Sequence, residues 1–250
     1  MKAVFRTDQG KVRTHNEDFV DIFYKQNPDM IFAIVADGMG GHRAGDVASE
    51  MTVSKLKQAW NENVLSDSAA SLEAWLKDQI TQVNSALYQH ALENEECEGM
   101  GTTIVAVVCT DRFATIANIG DSRCYLLNED GFKQVTEDHS LVNELVRNGQ
   151  ISREDAEHHP RKNVLLRALG TEQNVEMDIK TVVFEEGDFL LLCSDGLSNK
   201  ITESEMEQIL RKNDSIDAAA DEFIQKANEN GGEDNITLAI LLHDLESERG

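Results

Sequence analysis

The chain has 250 residues, enough for one good-sized domain, and its 46 acidic and 23 basic residues give a net charge of −23 at pH 7. That charge repels nucleic acid and anionic membranes and attracts cations, which argues against a nucleic-acid-binding protein. The N-terminus lacks an apolar signal core, no run reaches membrane-spanning length, and the four cysteines form no zinc-like spacing. We therefore expect a soluble, cytoplasmic protein without a membrane span, and no apolar surface stripe requires more than a monomer.

The N-terminal part of the chain predicts three strands followed by two helices. The strands are expected over residues 4–8, 18–24 and 31–37, and the third is a continuous apolar run, typical of a strand covered on both faces. Apolar residues at spacings of three and four predict one helix from Val47 to Trp60 and another from about residue 68 to residue 94.

The rest of the chain is rich in strand signals joined by antiparallel turns. Strands are expected over residues 102–110, 113–119, 122–127, 132–136, 175–184, 189–193 and 235–242. Three cysteines lie in these segments and are expected to be small buried hydrophobic residues: Cys109, Cys124 and Cys193. Strands grouped by antiparallel turns, with helices in pairs, predict an α+β fold rather than alternating βαβ units.

Helix starts in this part are predicted from capping patterns. Asp138 is expected to cap a helix that Gly149 ends, and capping boxes start further helices at Ser152 and Thr202. A last helix is expected over about residues 215–228. No repeat or structureless linker interrupts this order, so the sequence predicts one domain.

Aspartates recur at the ends of the predicted strands. The run IFAIVADGMGG ends in Asp37, FLLLCSDGLSN repeats its form at Asp195, Asp121 follows another strand, Asp234 precedes the last one, and Asp18 opens a strand. Clustered carboxylates raise one another's pKa unless a cation compensates, and a pair of divalent ions about 3.5–4 Å apart would hold them together and make a nucleophilic hydroxide. The residues alone leave a metal site and ordinary acidic turns equally open.

Eight motifs in order carry a resemblance to a known family. They are TDQGKVRTHNED, VADGMGGHRAGDVAS, GMGTT, ANIGDSRCYLL, TEDHSLVNELV, HPRKNVLLRALG, LLCSDGLSN and GGEDNIT, and they span residues 7–237. The series resembles the Mg²⁺/Mn²⁺-dependent serine/threonine protein phosphatases of type 2C, particularly the compact bacterial members. The resemblance implies a four-layer αββα sandwich, with two central antiparallel sheets and helices on both outer faces. It also implies one catalytic domain over residues 1–243, with a flap at about 146–169 and a tail at 244–250.

The resemblance also implies which residues bind metal. Asp37 would bridge two Mn²⁺ or Mg²⁺ ions, the Gly38 carbonyl would bind one of them, and Asp195 and Asp234 would ligate the other. A third, weaker ion would be held by Asp121 and Asp195.

Other residues would assist these ligands by the same resemblance. Asp18 and Glu17 would act mainly through metal-bound waters, and the Arg13 guanidinium would grip the phosphate. His42 matches the position of a general acid for the leaving alkoxide. Family members often carry glutamate or glycine near Asp46, so the outer loop is expected to differ slightly.

The activity implied is hydrolysis of phosphoserine and phosphothreonine on proteins by in-line attack of a metal-bridging hydroxide, opposing a bacterial Ser/Thr kinase. Two alternatives stay open: a non-catalytic binding module on the same fold, and an acidic Ca²⁺-binding protein without an EF-hand loop. Basic residues concentrate in the flap, where we expect them to be solvated rather than to select a phosphopeptide: His158, His159, Arg161, Lys162 and Arg167.

Overall fold

The computed structural model describes residues 1–26, 29–41 and 44–244, and two antiparallel β-sheets stacked face to face form its centre. The strands are β1 (Lys2–Asp8), β2 (Asp18–Gln26), β3 (Asp29–Met39), β4 (Gly101–Thr102), β5 (Ile104–Cys109), β6 (Phe113–Ile119), β7 (Arg123–Asn128), β8 (Gly131–Gln134), β9 (Asp178–Val183), β10 (Phe189–Cys193) and β11 (Ile236–Leu242). The first sheet has the order β1-β11-β10-β7-β8. The second has the order β2-β3-β5-β6-β9, with β4 paired to β3.

Helices cover the outer face of each sheet. They are α1 (Ala44–Glu62), α2 (Ala69–Glu93), α3 (Leu141–Arg147), α4 (Arg153–Glu157), α5 (Asp195–Ser198), α6 (Glu203–Lys212) and α7 (Ile216–Glu229), with a 3₁₀ turn at Glu95–Cys97. Helices α1 and α2 pack on the sheet that contains β3, and α6 and α7 pack on the sheet that contains β11. The predicted four-layer αββα sandwich is therefore confirmed.

Strand β3 shows why a continuous apolar run is needed at the centre of such a sandwich. Phe32 and Ile34 face the layer of α1 and α2, whereas Ile31, Ala33 and Val35 face the other sheet. All five side chains are buried, and each large one stabilises the fold by about 1.5–3 kcal/mol relative to an exposed position. Asp37 follows on the same rigid strand, so this core fixes where its carboxylate lies.

The structure corrects the predicted cap of α3. The N-cap residue is Ser140, whose hydroxyl accepts a hydrogen bond from the Asn143 amide. Asp138 instead binds the partly buried Arg123 guanidinium through both carboxylate oxygens, at 2.7–3.1 Å. A long-range charge pair thus outcompetes the local capping interaction that the sequence pattern favours.

Smaller differences concern the ends of elements. Strand β3 continues two residues past Asp37, because Gly38 and Met39 pair with β4. Strand β9 begins at Asp178 rather than near residue 175, and the predicted strand over 102–110 is divided into β4 and β5. The capping boxes at Ser152 and Thr202 are confirmed.

The cysteines lie inside the fold. Cys109, Cys124 and Cys193 are buried, as expected, and carry free thiols. Across the described ranges, no helix combines the length and the apolar character that crossing a bilayer requires. Of the predicted tail, only Asp244 belongs to the described residues.

Candidate metal centre

The predicted aspartates meet at one edge of the sandwich, between the two sheets. Asp18 opens β2 directly opposite Asp37 on β3. Asp195 follows β10 and Asp234 precedes β11, the neighbouring antiparallel strand. Asp121 follows β6, and the charges of the other four aspartates all act on Asp37. The topology therefore brings together five carboxylates that are distant in the sequence.

The backbone around Asp37 is fixed by two threonines. The Asp37 amide donates a hydrogen bond to the Thr103 hydroxyl at 3.0 Å, and the Thr103 amide donates back to the Asp37 carbonyl at 2.9 Å. The Thr102 hydroxyl also donates to that carbonyl, at 2.9 Å. These contacts place the half-buried Asp37 side chain at the mouth of the site without tying up its carboxylate.

Gly38 lies where no larger residue fits. Its amide donates to the Glu17 carbonyl at 3.1 Å, and a Cβ atom would collide with the carbonyl oxygens of Glu17 and Gly45. Gly45 lies in α1, and a Cβ there would come within 2.9 Å of the Glu17 carboxyl group. The glycines thus allow the loop of Glu17, strand β3 and helix α1 to approach one another closely.

A buried serine holds the Asp18 carboxylate. The Ser194 hydroxyl donates a 2.7 Å hydrogen bond to Asp18 and accepts one from the Thr237 amide at 3.1 Å. Burial raises the pKa of Asp18 to about 7, and the charges of Asp195 and Asp234 add to that rise, although the hydrogen bonds of Ser194 and Thr237 oppose it. Because Asp18 belongs to one sheet and Ser194 follows a strand of the other, this contact also joins the sheets across the site.

Asp121 and Asp195 form the second part of the cluster. Burial raises the pKa of Asp121 to about 7, with Asp195 and Asp138 adding to the rise and Arg123 opposing it. Burial and the charge of Asp234 raise the pKa of Asp195 to about 6, while Arg123 lowers it. Arg123 therefore offsets part of the negative charge, although its own guanidinium is bound to Asp138.

Arg13 lies across the site against Asp234. Its Nη2 donates to Asp234 Oδ2 at 2.8 Å, and about half of the Arg13 side chain, 48%, is exposed. Burial lowers the pKa of Arg13, but the charges of Asp234, Glu17 and Asp37 outweigh this and hold the pKa above its usual value. The guanidinium therefore lies at the rim of the cluster, near Glu17 and two of the clustered aspartates, Asp37 and Asp234.

Asn235 attaches the loop of Arg13 to the sheet. Its side-chain nitrogen Nδ2 donates to the carbonyls of Gln9 and His15, both at 2.9 Å, and its side-chain oxygen accepts from the Glu17 backbone amide at 2.9 Å. A side chain next to Asp234 thus holds both ends of the loop between β1 and β2.

The chemistry of this donor set fits hard divalent cations. Burial and then the charges of the four neighbouring aspartates hold the pKa of Asp37 well above its usual range. Two arginines, Arg13 and Arg123, face five carboxylates, so the ionised forms lack counter-charge. Oxygen ligands of this kind suit Mg²⁺ and Mn²⁺.

The carboxylates do not yet surround a common point. Within residues 1–26, 29–41 and 44–244, no three His, Cys, Asp or Glu side chains are already arranged to hold one metal ion. Three of the aspartates have partners of their own: Asp18 accepts from Ser194, Asp195 from Asn199 and Asp234 from Arg13.

The structure locates some of the remaining predicted residues but not all of them. Glu17 lies beside Gly45 and Asp46, and burial raises its pKa, with Arg13 opposing the rise and Asp46 adding to it. His42 lies outside the residues that the structure describes, so its role stays a prediction. In the flap, Arg161 and Lys162 are exposed, as expected for solvated side chains, but Arg167 is half-buried and pairs with Glu176 and Asp178, so the expectation is wrong for Arg167.

Sequence patterns did not identify several residues that support the aspartates: Thr103, Arg123, Ser194 and Asn235. Ser194 and Asn235 are direct neighbours of predicted ligands, so adjacency to an aspartate was the available signal. The Ser194 hydroxyl reaches Asp18 over a separation of 176 residues, which no local pattern reveals.

Two comparisons with known protein sequences identify the family of this chain. The protein phosphatase 2C family model matches residues 9–238. The chain is 52% identical over 245 residues to the serine/threonine phosphatase stp of Listeria innocua, covering 98% of this chain and 97% of that protein.

Solved structures agree with the fold. The serine/threonine phosphatase Stp1 from Staphylococcus aureus matches with a TM-score of 0.90 and 38% identity, over 96% of this chain and 93% of that one. The catalytic domain of the serine/threonine protein phosphatase PstP, solved in complex with two manganese ions, matches with a TM-score of 0.83 and 33% identity, over 96% of both chains.

Proposed function

The chain belongs to the protein phosphatase 2C family and is a phosphoprotein phosphatase, and on this basis we propose that it hydrolyses phosphoserine and phosphothreonine on proteins with bound Mn²⁺ or Mg²⁺. The observation that carries the proposal is the group of aspartates at one edge of the sandwich, whose charges all act on Asp37. Two divalent cations, when bound, supply a nucleophile from water at neutral pH and neutralise charge on the phosphoryl oxygens.

We propose that Asp37, Gly38, Asp195 and Asp234 hold the two cations of the core site. Asp37 is placed between the sheets by Thr103, and its carboxylate is free of hydrogen bonds from that residue. Asp18 and Glu17 hold waters of these ions in this proposal, and Asp121 with Asp195 holds a third, weaker ion.

Arg13 is proposed to bind the substrate phosphate. Its side chain is half exposed, and its guanidinium already binds a carboxylate oxygen of Asp234, an anionic acceptor as a phosphate oxygen is. With Asp234 holding a cation, the Arg13 guanidinium at the rim would be available to bind a phosphate monoester through its fork of N–H donors. His42 is proposed to protonate the leaving serine or threonine oxygen.

The setting of the enzyme is part of the proposal. We infer one catalytic domain over residues 1–243 that acts as a cytoplasmic monomer on phosphoproteins and opposes a Ser/Thr protein kinase. The relatives named as serine/threonine phosphatases support the substrate class.

The test is phosphate release from a phosphothreonine peptide during a titration with Mn²⁺. We expect metal-dependent turnover by the wild type, and Asp37→Asn and Asp234→Asn to lose more than about a hundredfold, since even outer-shell changes at metal sites cost about 10–100-fold. Asp130→Asn, an equal change at an exposed turn between β7 and β8, serves as the matched control.

Two outcomes would overturn the proposal. Full activity of Asp37→Asn would remove the aspartate cluster from the reaction. A wild-type protein that binds Mn²⁺ without hydrolysing the peptide would instead be a non-catalytic binding module, and calorimetry showing Ca²⁺ preferred over Mn²⁺ would indicate a calcium-binding protein.

A further inference from the structure

His139 is a buried histidine outside the predicted site, and it contacts the loop that carries Asp121. Its side chain is 7% exposed. The His139 amide donates to the Gly120 carbonyl at 2.9 Å, and the Gly120 amide donates back to His139 Nδ1 at 3.2 Å. The imidazole and the backbone of one residue therefore hold the residue directly before Asp121.

The other face of the Gly120 turn is closed by Thr103, which lies between β4 and β5. Gly120 has φ +101°, and a Cβ there would come within 2.6 Å of the Thr103 side chain. The Thr103 hydroxyl in turn lies 2.7 Å from that of Ser122 and accepts from the Asp37 amide. The loop of Asp121 is thus held between Thr103, which also fixes Asp37, and His139.

His139 also holds the base of the flap. We call residues 139–141, which lead into α3, and residues 164–169, which form the end of the flap, the flap stem. The Leu166 amide donates to the His139 carbonyl at 2.8 Å, and the Leu141 amide donates to the Val164 carbonyl at 2.8 Å. The two halves of the flap stem are therefore bound together at His139.

The outer edge of the imidazole faces charged residues. Because Nδ1 accepts from Gly120, the ring proton of the neutral form lies on Nε2. Nε2 is 3.3 Å from Asp178 Oδ2, and Arg167 Nη1 lies 3.3 Å from the same nitrogen and 3.4 Å from Asp178 Oδ1. Arg167 belongs to the flap stem, and because the protonated Nε2 has no free lone pair, Arg167 is linked to the ring through Asp178, which both side chains contact.

We propose that His139 is a positioning residue that holds the Asp121 loop through the Gly120 amide and couples it to the flap stem. The inference rests on the proposed function in that Asp121 is taken as a ligand of the third, weaker cation. Loss of the imidazole acceptor should free the Gly120 amide and weaken binding of that ion. The core ligands Asp37 and Asp234 make no contact with His139 and should keep their positions.

The experiment compares His139→Ala, His139→Asn and His139→Gln. The Asn side-chain oxygen occupies the place of Nδ1 and can accept from Gly120, whereas Gln reaches the place of Nε2 and cannot. In the metal-free protein, hydrogen exchange of the Gly120 amide measured by NMR should be about three- to tenfold faster in the Ala and Gln variants, the range expected for one net hydrogen bond, and near wild type in His139→Asn.

Calorimetric titration with Mn²⁺ gives the second measurement. We expect the weakest binding step to be about three- to tenfold weaker in His139→Ala and His139→Gln, restored in His139→Asn, and the two tighter steps to be unchanged. His243→Ala, a change at another buried histidine that instead bonds the Asp111 carbonyl, should leave the weakest step unchanged.

The contrary results are distinct from failure of the proposed function. The positioning role would be overturned if Gly120 exchange were unchanged in His139→Ala, or if all binding steps were weakened equally. It would also be overturned if the wild type bound only two Mn²⁺ ions, or if His139→Asn did not restore the weakest step. Absence of peptide hydrolysis by the wild type would overturn the enzyme proposal, whereas the exchange measurement does not depend on turnover.

Discussion

At the scale of single residues, Ser194 shows how a small polar side chain determines the setting of a carboxylate. Its hydroxyl is the donor to Asp18 and the acceptor for the Thr237 amide, and it is fully buried. Removing it leaves a buried N–H without its partner, which costs about 1–3 kcal/mol, and frees Asp18 to turn.

We therefore expect Ser194→Ala to lower the free energy of unfolding by about 1–3 kcal/mol and to weaken Mn²⁺ binding by about 10–100-fold. Ser198→Ala is the matched control, because the buried Ser198 hydroxyl has no hydrogen-bond partner among the residues that the structure describes. Calorimetry of both variants decides the matter: equal Mn²⁺ affinity in Ser194→Ala and wild type would contradict the role of Ser194.

The residue scale also shows what sequence can predict about the site. Asp37, Asp195 and Asp234 were found because each adjoins a recognisable strand or glycine turn. The contacts of Ser194 and Asn235 could not be found, since their partners lie on segments that only the folded sheets bring near. Candidate metal ligands can therefore be recognised from neighbouring residues, whereas the residues that position those ligands can be recognised only in the tertiary structure.

At the scale of elements, the predictions are confirmed where neighbouring residues determine the ends of a strand or helix. The apolar runs of β6 and β10 begin and end as expected, and the capping box of α6 forms between Thr202 and Glu205. Predictions failed where a distant partner decides, as at Asp138, which binds Arg123 instead of capping α3. Turn chemistry and apolar periodicity therefore predict most of the fold, and long-range charge pairs adjust it.

Thr202 tests the local part of that account. Its hydroxyl accepts from the Glu205 amide, and Glu205 also binds Lys226 of α7 at 2.8 Å. We expect Thr202→Ala to lower the free energy of unfolding by about 1 kcal/mol, measured by urea denaturation, because the cap of α6 is lost. Ser204→Ala, two residues later on the exposed face, should change it by less than about 0.5 kcal/mol; an equal loss in both would contradict a capping role.

At the scale of the whole molecule, the raised carboxyl pKa values make stability depend on pH and on metal. The pKa values of Asp18 and Asp121 are about 7 and that of Asp195 is about 6, whereas an unfolded aspartate titrates near 3.9. Between about pH 4 and pH 7 the folded state therefore binds more protons than the unfolded state. The free energy of unfolding of the metal-free protein should fall as pH rises through this window.

Scanning calorimetry in chelator at pH 5, 6 and 7.5 tests this prediction. In Asp18→Asn the free energy of unfolding should decrease less with rising pH than in the wild type. Glu205, whose pKa is lowered to about 2 by Lys226 and Thr202, titrates below the window. Added Mn²⁺ should raise the melting temperature most at pH 7.5, because protons compete with the ion for the carboxylates. A melting temperature in chelator that rises from pH 5 to pH 7.5 would contradict the raised pKa values of these aspartates in the folded state.

The most direct measurement for the metal centre is anomalous diffraction from crystals grown with Mn²⁺. We expect two strong peaks about 3.5–4 Å apart, with the Asp37 carboxylate between them, Asp195 and Asp234 turned inward and Arg13 released from Asp234. Crystals that contain no ion among Asp37, Asp195 and Asp234, with the three carboxylates directed apart, would contradict the account.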